Sequence, residues 1–205
     1  MRTNLGRCAA LAALVWSLSA PAGADTTATP TECDRLAGHP SDPDKVVEGV
    51  SQAQVLGWSN AAIHACQQAV AAEPGNARVR YQLGRVLFYT GRHADALPHL
   101  EASATARHRQ AQFVLGLFYT DGVKDGLEAD ACRALALWQD AASRGHFAAR
   151  VALSRDYLRG AYDRCEGRPS KDEVAGFLDS AGKEARDFYQ RLLIGWARET
   201  LAARP

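Results

Sequence analysis

Apolar and small residues recur three and four positions apart through most of the chain, the spacing of amphipathic helices, and short polar or glycine-bearing breaks separate them. The pattern also repeats. Residues 81–91 read YQLGRVLFYTG, and 113–122 read FVLGLFYTDG, so that Leu83-Gly84 returns 32 positions later as Leu115-Gly116. A third copy follows 38 positions on at Leu153-Ser154, and Ala149, Tyr157 and Gly160 match Ala111, Tyr119 and Gly122 at that same offset. Between the copies lie HADALPHLEASA (93–104), CRALALWQDAASRG (132–145) and EVAGFLDSAG (173–182), in which Ala134, Trp138, Ala141 and Ala142 share one helical face. Each unit therefore predicts helix, turn, helix. Gly or Ala at the crossing lets two backbones approach, while Leu, Tyr and Trp fill the space beside them.

The two ends read differently. EARDFYQRLLIGWARETL at 184–201 predicts one more helix, with Phe188, Leu192 and Trp196 as its apolar face, suited to cap a stack. The stretch 25–57 carries Pro30, Pro40 and Pro43 and reads as mainly extended. At the start, Arg2 and Arg7 precede the apolar run CAALAALVWSLSA (8–20) and the triplet Ala22-Gly23-Ala24, the pattern of a secretory leader cleaved before Asp25. That run is shorter than the roughly 20 apolar residues needed to span a bilayer, and no later stretch is longer, so no membrane span is expected.

A chain of 205 residues can build one domain with a substantial core. Loss of the leader removes two arginines and no acid, leaving 23 acidic residues nearly balanced, which argues against nonspecific nucleic-acid binding. Cys33, Cys66, Cys132 and Cys165 follow the leader; an even count in an exported chain reads as disulfides, and four cysteines allow three pairings. Metal-ligand spacing is absent from the sequence, as are HExxH and G-x-S-x-G, so neither metal nor cofactor is expected and no catalytic residue is assigned. The six histidines fall into no arrangement of known mechanics.

The segment NARVRYQLGRVLFYTGRHADALPHLEAS (76–103) resembles a tetratricopeptide repeat starting at Ala77, with Leu83, Gly84, Ala96 and Leu100 at its marked places. AAIHACQQAVAAEPGN (61–76) resembles the second helix of an earlier unit whose first helix is not recognisable, and the longer later units resemble Sel1-like repeats. The resemblance implies an all-α, right-handed solenoid of stacked helix-turn-helix units over 58–183, between an extended N-terminal segment (25–57) and a capping helix (184–205). Its groove-facing places, carried onto this chain, are Arg78, Tyr81, Arg85, Phe88 and Tyr89, then Phe113 and Leu117, then Val151, Arg155, Leu158 and Arg159. Arginines beside aromatics suit an acidic or C-terminal peptide, because guanidinium grips carboxylate bidentately. The implied function is a periplasmic or secreted adaptor or regulator holding a protein or peptide, akin to Sel1-like regulators that restrain a membrane sensor, and not an enzyme. The alternative is an envelope enzyme; some Sel1-like proteins are credited with β-lactam binding or hydrolysis, but their closely spaced cysteine pairs are absent from this chain. Since contacts in a solenoid run between neighbours, Cys33 is expected to pair with Cys66 and Cys132 with Cys165.

Overall fold

The computed structural model describes residues 29–123 and 126–204; the leader expected at 1–24 lies outside them. The described residues form α1 (Glu32–Ala37), α2 (Gln52–Gly57), α3 (Ser59–Ala72), α4 (Ala77–Tyr89), α5 (His93–Thr105), α6 (Arg109–Asp121), α7 (Ala131–Ser143), α8 (Phe147–Leu158), α9 (Lys171–Glu184) and α10 (Phe188–Ala203). From α3 onward each helix packs on the next, giving the α-solenoid expected from the repeat.

Local chemistry sets the helix starts. Asn76, His108 and His146, which stand at the 32- and 38-residue offsets, cap α4, α6 and α8, each accepting backbone N–H groups of the first turn. Ser170 and Glu173 form a reciprocal capping box on α9. Gly122 and Gly160 follow α6 and α8 at φ 75° and 76°, in the left-handed region that other residues enter only at a cost.

The Leu-Gly echo is a packing device. Leu83, Leu115 and Leu153 are buried. A Cβ at Gly84 would fall 2.7 Å from Leu100 Cγ, and one at Gly116 only 2.2 Å from Trp138 Nε1, so both glycines let the second helix of their own unit press close. Trp138 is fully buried and its indole N–H donates to the Phe113 carbonyl at 3.0 Å. Ala134, Ala141 and Ala142 are buried on the same face of α7, as their spacing predicts.

Two expectations need correction. The segment before α3 is not mainly extended: α1 and α2 form there, each opened by a capping box (Thr31 with Asp34, Ser51 with Gln54). α1 packs on α3 and α4 in the place of the unrecognised first helix, and the Cys33–Cys66 disulfide fastens it to α3. The second disulfide joins Cys132 at the start of α7 to Cys165 beyond α8. The second correction concerns α10. It rests on α8 and α9 through Ile194, Ala197 and Leu201, whereas Phe188, Leu192 and Trp196 point outward and are 65%, 58% and 53% exposed. The bulkier stripe draws the eye in the sequence, but the smaller residues on the opposite face fit the close approach to α8 and α9.

Candidate functional site

The first helices α4 and α6, with the start of α8, line a cavity of about 880 Å³. The loop 39–45 closes one rim and Glu184, Arg186 and Gln190 stand at the other. Its wall is aromatic: Phe88 and Phe118 stack at 4.3 Å between ring centroids, and Phe113 stacks on His146 at 4.9 Å. Phe147 and Leu117 complete the apolar surface. The volume lies within the range of small-molecule and side-chain pockets.

The N-terminal segment is held in place by the residues the sequence suggested for partner binding. Arg78 is buried and grips Asp34 of α1 through Nε at 2.6 Å and Nη2 at 3.1 Å, and Gln82 donates to the same carboxylate at 2.8 Å. Burial pulls the Asp34 carboxyl upward, but the hydrogen bonds from Arg78, Gln82 and Thr31 outweigh it and hold it below the ordinary carboxylate range. Arg85 donates to the carbonyls of Ala37 and Gly38, both at 2.8 Å, and of Val50 at 2.7 Å. Arg78 and Arg85 are therefore not open groove guanidiniums, because the chain's own N-terminal segment occupies that end of the groove. Tyr81 is buried to 1% exposure; it stacks on His108 at 5.1 Å, and burial pushes its hydroxyl up.

The remaining candidates divide. Tyr89, Phe113, Phe88 and Leu117 line the cavity together with the edges of Tyr81 and Arg85. Arg155 turns to Asp156, with Nε 2.6 Å from Oδ1, and Arg159 is largely exposed 4.0 Å from the same carboxylate; neither reaches the cavity, nor do Val151 and Leu158. The three copies thus do not contribute equally to one binding surface.

Sequence reasoning passed over the acids of the N-terminal loop. Asp44 pairs with Arg109 at the start of α6, Oδ1 to Nη2 at 2.5 Å, and the hydrogen bonds from Arg109 overcome burial to keep its carboxyl low. Asp42 is fully buried, accepts the Asp44 N–H at 2.8 Å, and sits 3.4 Å from His108 Nε2. Burial pushes the Asp42 carboxyl up to about 7 and pulls the His108 imidazole down to about 4, so both are neutral between those values. Asp42, Asp44 and His108 bring potential ligand atoms within 4.8 Å of one another. They are a poor metal set all the same. His108 Nδ1 accepts the Ala111 N–H, which leaves the proton on Nε2, and Asp44 is committed to Arg109. The repeat offset itself marked His108 and His146 as equivalent positions; what it could not reveal is the loop that Asp42 brings to His108 from 66 residues away.

Residues 59–114, from the start of α3 into α6, match a tetratricopeptide repeat family model. The crystal structure of a Sel1 repeat protein from Oxalobacter formigenes superposes with a TM-score of 0.52 at 19% identity, over 63% of this chain and 96% of that one. At that identity the likeness speaks for the fold. No curated protein matches the chain by sequence. No helix among the described residues is long and apolar enough to cross a membrane. With two disulfides, a repeat register carried by helix pairs and these two likenesses, the chain is in its fold a helical-repeat protein of the tetratricopeptide and Sel1-like kind.

Proposed function

We propose that this protein is an exported adaptor or regulator whose concave cavity takes up a bulky apolar side chain of a partner protein or peptide beside an acidic or C-terminal carboxylate. The aromatic cavity carries this reading, since rings and aliphatic side chains bury apolar groups at low conformational cost. Arg85 supports the carboxylate preference in a different way from a direct grip. Its guanidinium is paired with carbonyls and Tyr89, not with a carboxylate, and Lys45 and Arg186 line the same cavity. After burial, the charges of Arg85 and Lys45 hold His39 down at about 4. Two disulfides support export to the periplasm or beyond, because such bonds persist in oxidising compartments. Binding is favoured over catalysis because the most perturbed pair, Asp42 and His108, is sealed from solvent, and the His108 ring is already used as a helix cap.

Display of a random peptide library against the chain tests the reading. Wild type should enrich peptides with a bulky apolar residue near a carboxylate. Phe147→Glu should abolish the enrichment, while Lys45→Glu with Arg186→Glu should remove only the acidic preference. Enrichment that survives Phe147→Glu places the binding surface elsewhere.

A further inference from the structure

The register of the repeats continues into α10. Its cap, Asp187, follows Asn76, His108 and His146, and seven and eight places after each cap stand Leu83-Gly84, Leu115-Gly116, Leu153-Ser154 and Ile194-Gly195. Ile194 is buried at 2% exposure like the three leucines before it. α10 is therefore built as a fourth first helix. In α4 and α6 the glycine of this pair lies under Leu100 or Trp138 of the following helix, but a Cβ at Gly195 would meet nothing within 4 Å. The acceptor for a close helix approach is present without its donor among the described residues.

A bulky apolar side chain on a helix is what such a surface accepts. Among the described residues the exposed large hydrophobics are Leu56 on α2 and five on α10: Phe188, Tyr189, Leu192, Leu193 and Trp196. The helix that offers the acceptor thus also offers the donors, as a two-fold contact requires. The charges agree. Arg191, Gly195 and Glu199 form one i, i+4, i+8 row, bordered by the row Phe188, Leu192, Trp196. Two antiparallel copies of α10 crossing at Gly195 set Arg191 of each against Glu199 of the other, and both side chains are free of ion pairs within the described residues. The row Phe188, Leu192 and Trp196 flanks Gly195 and supplies the apolar part of such a contact, whereas Tyr189 and Leu193 lie about 120° and about 160° round the helix from Gly195 and stay outside it.

We infer that the outward face of α10 around Gly195 is the interface of a two-fold homodimer, in which each copy supplies the helix that covers the other's fourth unit. Of α10 only Gln190 stands at the cavity rim, about 140° round the helix from Gly195, so the dimer leaves the concave site of each copy open.

Sedimentation equilibrium of the full chain tests it. Wild type should be a dimer. Leu192→Glu should weaken self-association by about 100-fold or more, because it buries a charge in the apolar row. Arg191→Glu or Glu199→Arg alone should each weaken it about tenfold or more. The double variant R191E/E199R should restore wild-type association, a rescue that damage to folding cannot produce. All three positions are exposed, so circular dichroism and melting should match wild type. A monomer up to millimolar concentration overturns the inference, and so does a dimer indifferent to Leu192→Glu and to the single reversals.

Discussion

Asp34 shows how one buried carboxylate can decide the use of its surroundings. It accepts from Arg78, Gln82 and Thr31, and through Arg78 it ties α1 to α4 across 44 positions of sequence. A guanidinium at that depth is tolerable only while its partner is ionised beside it. Asp34→Ala should therefore cost about 3–5 kcal/mol, the usual penalty for stranding a buried charge. The shift of the urea midpoint at constant m-value measures it. A loss below about 1 kcal/mol, the ordinary worth of an exposed pair, means that Arg78 swings out to water instead. Either result bears on the groove, because Arg78 reads in the sequence as a partner contact and stands in the structure as an internal strut.

At the scale of the helix, the starts of α6 and α8 rest on histidines used as caps. His108 Nδ1 accepts from Ala111 N–H at 3.3 Å and His146 Nδ1 from Ala149 N–H at 3.0 Å, so each ring must keep a free lone pair on that nitrogen. Burial holds both at about 4 against an ordinary 6.5, and His39 likewise. With a lowered folded value, the unfolded chain takes up the proton first as pH falls. The stability from these groups is complete above 6.5 and is lost as pH falls toward 4. Asp42 works in the opposite sense: raised from 3.8 to about 7, its contribution is complete below 3.8 and fades as pH rises through 7. Three histidines outweigh one carboxyl, so the melting temperature should drop between pH 6.5 and 4. His146→Asn keeps a capping side chain, as Asn76 provides for α4, and should make that drop shallower in calorimetry. An unchanged slope would show that His146 does not take up a proton on unfolding.

Across the whole molecule the apolar interior falls into two clusters, one from Cys33 to Ala134 and one from Leu135 to Leu201. Units of a solenoid touch chiefly their neighbours, so stability is nearly a sum of local terms. Each disulfide spans a sequence separation of 33, for which chain entropy gives about 3–4 kcal/mol. Replacing Cys132 and Cys165 by serine should lower amide protection in α7 to α9 and leave α3 to α5 near wild type. Native-state hydrogen exchange resolves the two regions. A uniform loss along the chain would instead make the molecule one cooperative unit.

The sequence by itself determined the helix pairs, their register and the all-α stack, because three- and four-residue spacing, capping residues and recurring small residues are local signals. It also led to both cysteine pairings, once a solenoid confined contacts to neighbours. Tertiary structure decided what each surface does. Arg78 and Arg85 occupy groove-facing places, yet only the return of 29–57 over α4 shows that their donors are already taken. Ile194 and Ala197, not Leu192 and Trp196, face the stack, because a helix with two apolar faces does not say which one its neighbours cover. Periodicity reports which residues share a face; burial depends on which distant segment arrives there, and no local pattern encodes that arrival.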